Sequence, residues 1–131
     1  MRATINREGL PATLVCILSV AALIALYGFG LVTNAYASGC SPTASSPVVT
    51  SGNGYARGAV TGGSCSGAWT GKIELRNGAG STLSSADISG NGQRTGLETN
   101  FAVCNGANVH TFIWINDGGT VKSDTSGAVS C

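Results

Sequence analysis

Five Asn-Gly or Asp-Gly dipeptides, at Asn53-Gly54, Asn77-Gly78, Asn91-Gly92, Asn105-Gly106 and Asp117-Gly118, cut the chain after residue 50 into short lengths. Asn and Asp tolerate positive φ and Gly adopts it without steric cost, so such pairs favour tight hairpin turns. The segments between them are rich in Val, Ile, Thr and aromatics, the composition of strands. Trp69 to Arg76 alternates, with Trp69, Ile73 and Leu75 on one side and Thr70, Lys72, Glu74 and Arg76 on the other. That pattern predicts a half-buried strand with one wet face. Val109 to Ile115 is apolar on both faces except at His110 and Thr111, which predicts a central strand. Weaker strands are expected near Val48-Val49, Tyr55 to Thr61, Thr82 to Ile88, Arg94 to Val103 and Thr120 to Val129. No helical periodicity follows Ala37. The fold class expected is all-β: a small antiparallel β-sandwich of about seven short strands.

The N-terminal part has a different logic. Arg2 and Arg7 precede an apolar run from Leu14 to Val32, and Ala35-Tyr36-Ala37 has the small-x-small form that a signal peptidase cuts. Residues 1–37 are therefore expected to be a cleaved signal peptide. Residues 38–50 follow as a Ser/Pro-rich N-terminal segment, and 51–131 as the sandwich domain. After cleavage the protein is expected to be secreted and extracellular, with no membrane association. A cell-surface anchored form is the alternative, because the run is about as long as a membrane-spanning helix. Ala37-Ser38-Gly39-Cys40 also resembles a lipobox, although the usual Leu is missing.

Cleavage would discard Cys16 and leave Cys40, Cys65, Cys104 and Cys131, an even set in an oxidising compartment. Two bridges would each contribute about 3–5 kcal/mol by restricting the unfolded chain, which matters for a domain with few large apolar residues. Three pairings are open. Cys65-Ser66-Gly67-Ala68 echoes Cys104-Asn105-Gly106-Ala107, and each leads into a strand. Equivalent placement on facing sheets favours Cys65–Cys104, with Cys40–Cys131 tying the termini.

These features together resemble small secreted bacterial immunoglobulin-like sandwich proteins. The resemblance rests on the signal peptide, the Cys65-x-Gly67-x-Trp69 strand start, the Asn77-Gly78 hairpin and Cys104 before a strand. It implies an immunoglobulin-like sandwich and says little about function, because such scaffolds host many roles.

The chemistry-bearing residues are sparse. Arg57, Lys72, Arg76, Arg94 and Lys122 balance Glu74, Asp87, Glu98, Asp117 and Asp124, with no charge run, so nucleic acid is not an expected partner. His110 is the one histidine. A Ser-His-Asp site would need Asp117 or Asp124 as its orienter, and a carboxylate pair would need Glu74 with Glu98. Ordinary strand and turn positions account for all of these residues. No catalytic residue, metal site or cofactor is expected. Binding is the expected role, with an extracellular protein or a cell-envelope polysaccharide as partner. Tyr55 and Trp114, and the loop tips at Asn53 and Asn105, are the candidate contacts. The aromatics otherwise fill the core. A strand that is apolar on both faces leaves one of them covered or free to interact. An exported effector, either a small inhibitor or an antimicrobial toxin, is the alternative.

Overall fold

A computed structural model describes residues 38–131, and the expected signal peptide lies outside the described residues. Among the described residues nine strands run in chain order: β1 (Ser41–Thr50), β2 (Asn53–Thr61), β3 (Ala68–Asn77), β4 (Thr82–Asn91), β5 (Arg94–Glu98), β6 (Ala102–Val103), β7 (Asn108–Asp117), β8 (Thr120–Thr125) and β9 (Val129–Ser130). The count exceeds the expected seven because β6 and β9 are separate two-residue strands. One sheet has the order β1-β2-β5, with β6 also on β2. The other has the order β4-β3-β7-β8, with β9 also on β7. Every pairing is antiparallel.

The core lies between the sheets. Val60 and Ala56 of β2 and Leu97 of β5 meet Trp69, Ile73 and Leu75 of β3, with Val109, Ile113 and Ile115 of β7. The alternation in β3 is as expected, and Trp69 is buried. In β7, Ile113 and Ile115 are the inward residues, while Phe112 and Trp114 point outward and are half-buried. Thr111 also points inward, where its Oγ1 accepts the Arg57 N–H at 3.3 Å.

Residues 41–50, expected to precede the sandwich apart from a weak strand at Val48-Val49, form β1 throughout. Proline suits this strand because β1 lies at a sheet edge, where a missing N–H breaks no ladder. Pro42 and Pro47 are both buried. A register shift between Ser45 and Val48 moves the inward positions from Pro42 and Ala44 to Pro47 and Val49.

The disulfides pair differently from the expectation: Cys40 with Cys65, and Cys104 with Cys131. The echo between Cys65 and Cys104 implied strands running the same way, but β3 and β7 are antiparallel neighbours. Trp69 stands opposite Asp117 and Asn77 opposite Val109, so Cys65 and Cys104 lead in from opposite ends of the sandwich. Ser41 pairs with Thr61 at the Cys65 end, and Ser130 with Asn108 at the Cys104 end. Each bridge therefore clips one terminal strand to the loop at its own end. Two such bridges indicate a non-reducing setting. Among the described residues, no helix is long and apolar enough to cross a membrane.

Candidate binding faces

Three of the four expected contact residues meet at one corner of the β1-β2-β5 sheet. Two-residue turns with φ > 0 at both positions match strand twist, and Ser51 and Gly52, with φ of 51° and 75°, make that turn between β1 and β2. Asn53-Gly54, expected as the turn, instead opens β2. The Gly52 carbonyl accepts the N–H groups of Cys104 at 2.9 Å and Asn105 at 3.2 Å. Asn105 Oδ1 occupies the space a Gly52 side chain would need. The Cys104–Cys131 bridge fixes the same loop. Asn53 and Asn105 are thus held at adjacent tips.

Inward residues of β2 are Gly54, Ala56, Gly58 and Val60, which leaves Asn53 and Tyr55 on the outer face. Tyr55 meets Phe101 edge to face, with ring centroids 4.7 Å apart. Val103 stands opposite Asn53. Phe101 and Val103 are 62% and 64% exposed, so the corner presents large apolar area to water. Its named side chains carry no charge. Further along the same strand, Arg57 forms an exposed pair with Glu98 at 3.7 Å.

Sequence reasoning missed Phe101 and Val103 because it read Arg94 to Val103 as one strand. Thr99 interrupts that strand. Its N–H donates to the Ala56 carbonyl at 3.2 Å, and its Oγ1 accepts the Ala56 N–H at 3.0 Å. The chain then leaves the ladder at Asn100 and Phe101 before rejoining at β6.

Trp114 lies elsewhere, on the outer face of the other sheet, between Lys72 of β3 and Ser123 of β8. Phe112 is next along the strand, and the Arg76 guanidinium lies 3.7 Å over its ring. Arg76 also pairs with Glu74, and Lys72 with Asp87 at 3.4 Å. A shallow groove of about 350 Å³ runs beside Trp114, lined by Thr70, Gly71, Asp87, Ile88 and Ser89. This face is aromatic and charged, whereas the corner is aromatic and neutral.

The other candidates do not assemble. His110 and Asp117 sit at opposite ends of β7, on opposite faces. Asp124 Oδ2 instead accepts the Ala44 N–H at 2.8 Å. Glu74 and Glu98 are in different sheets. Among the described residues, no group of three His, Cys, Asp or Glu side chains could hold a metal ion.

Asp117 has a structural setting that sequence reasoning did not foresee. It is fully buried. Its Oδ1 accepts the Ser38 N–H at 2.8 Å and the Ser38 hydroxyl at 2.5 Å. Its Oδ2 accepts the Cys40 N–H and the Lys122 ammonium, each at 3.1 Å. Burial acts to raise its pKa, but the donors from Ser38, Lys122 and Cys40 together outweigh burial and hold it at about 2.

No protein-family model matches the chain, and no curated protein or solved structure matches it.

Proposed function

We propose that this protein is a secreted, non-catalytic binding domain whose partner is a cell-envelope polysaccharide, held at the Tyr55–Phe101 corner. The observation that carries the reading is the uncharged cluster of Tyr55, Phe101 and Val103 beside the Asn53 and Asn105 amides. Aromatic faces stack against the C–H faces of sugar rings, and amides donate to and accept from ring hydroxyls without the desolvation cost of a full charge. An exposed apolar patch rimmed by polar groups marks an interaction surface. The two disulfides support an extracellular setting. The strand order, β1-β2-β5 facing β4-β3-β7-β8, supports an immunoglobulin-like sandwich, in which loops at the sheet ends are common recognition sites.

The test is retention of the purified protein on insoluble cell-wall polysaccharide. Phe101→Ala is expected to weaken retention about tenfold, the equivalent of one aromatic contact of about 1.4 kcal/mol. Trp114→Ala is expected to leave it unchanged. Equal retention of wild type and Phe101→Ala would sink the reading. A second reading rests on the groove beside Trp114, where an indole next to the Lys72–Asp87 ion pair suits an extracellular protein. Loss of binding in Trp114→Ala alone would favour it. Growth inhibition by the pure protein, without wall retention, would point to an effector.

A further inference from the structure

Ser38-Gly39-Cys40 occupies a built socket. Besides the donors to Asp117, the Ser38 carbonyl accepts the Ser66 N–H at 3.3 Å. A Cβ on Gly67 would stand 2.6 Å from the Ser38 Cβ, so the absence of a side chain there makes room for Ser38. Gly39, at φ 70°, packs its backbone against Ser64 and Gly62. Cys40 is locked to Cys65, and its carbonyl accepts the Lys122 ammonium at 2.5 Å. All of this converges on a buried carboxylate whose Oδ1 receives the main-chain nitrogen of Ser38. In the sequence, that nitrogen directly follows Ala35-Tyr36-Ala37.

We propose that Asp117 is a socket for the new N-terminus of the processed protein: cleavage of the Ala37–Ser38 bond frees an α-ammonium that pairs with Asp117. The step is a hydrolysis by an export leader peptidase. Water adds across the amide, the carboxylate stays on Ala37 and the protonated amine on Ser38. An amide nitrogen at this position gives one neutral donor. An ammonium gives a full positive charge, and charge-assisted hydrogen bonds are roughly twice as strong. Two cations then divide one carboxylate, Lys122 on Oδ2 and the Ser38 amine on Oδ1. Among the described residues, Lys122 is the other charged group bonded to Asp117. Ser38 is half-exposed, so the remaining ammonium protons reach water. Cleavage thus supplies a folding contact as well as releasing the domain.

The experiment uses the full chain expressed in an exporting host. The intact mass of the exported protein is expected to begin at Ser38, with no acyl group on Cys40. Its α-amine is expected to titrate above the ordinary range of about 7.7–8.0 and to acylate about tenfold more slowly at neutral pH than in Asp117→Asn. A different first residue, a lipid on Cys40, or an α-amine titrating within or below the ordinary range would overturn the proposal. The titration is made on the wild-type protein, so the result stands even if Asp117→Asn does not fold.

Discussion

Trp69 of β3 and Gly90 of β4 face each other across the strand pair, and the indole fills the space in which a Gly90 side chain would stand. A Cβ there would lie 2.6 Å from the ring, and the indole Nε1–H donates to the Gly92 carbonyl at 2.8 Å. The glycine is what lets the largest buried side chain lie down at the sandwich end. Gly90→Ala is expected to destabilise by about 1–3 kcal/mol through overpacking. Trp69→Ala is expected to cost about 3–5 kcal/mol through the cavity it leaves. Urea unfolding of the two variants, at unchanged m-value, checks both figures.

The cysteine pairing gives a sharp mass signature. Trypsin cuts after Arg57, Lys72, Arg94 and Lys122, which places each bridged cysteine in a separate peptide. Without reduction, peptide 58–72 is expected to travel with the peptide ending at Arg57, and peptide 95–122 with 123–131. A 58–72 linked to 95–122 would contradict the fold. Replacing Cys104 and Cys131 together by Ala is expected to cost about 3–5 kcal/mol, measured by thermal or urea unfolding.

Acid should unfold the protein partly through Asp117. Its carboxyl titrates at about 2 in the folded domain, against an ordinary value of 3.8. The unfolded chain therefore takes up the proton first as pH falls. The stability this group contributes is complete above about pH 4 and is lost between about 4 and 2. Asp117→Asn is expected to have a lower Tm at pH 7. Its Tm should then fall less steeply than that of wild type below pH 4, so that the two curves converge near pH 2. Parallel Tm curves would show that Asp117 contributes nothing to acid sensitivity.

Ser51 is the one non-glycine residue at positive φ among the described residues. Serine there carries a steric cost that Gly lacks and that Asn offsets through local hydrogen bonds of its side chain. Ser51→Asn is expected to stabilise the domain by about 0.5–1 kcal/mol and to leave the spectrum of the folded state unchanged.

The parts of the fold written in local patterns were legible from the residues. The clean alternation from Trp69 to Arg76 gave β3 and its buried face, and the apolar density of Val109 to Ile115 gave the central position of β7. β1 was legible only as a weak strand at Val48-Val49, because its alternation changes phase at the bulge and its two buried residues are prolines, which normally argue against a strand. The direction in which β7 faces could not be read from a segment apolar on both sides. Pairing of the cysteines depended on whether β3 and β7 run parallel, a long-range fact with no local mark. Of the candidate contacts, Asn53, Tyr55 and Asn105 converge and Trp114 does not. Phe101 was invisible as a partner because a side chain–backbone exchange at Thr99, rather than a turn motif, lifts it out of the ladder.

The two disulfides also determine how the domain would carry a mechanical load. A pull applied at Ser38 and Cys131 enters through clips at opposite poles, and the loops they close span sequence separations of 25 and 27. Those loops cannot lengthen without breaking a covalent bond. Only the chain between Cys65 and Cys104, which holds β3 to β6, can be drawn out. Under tension the protein would behave as a short tether with a fixed maximum reach, and chemical reduction would be the one way to release the rest of its length.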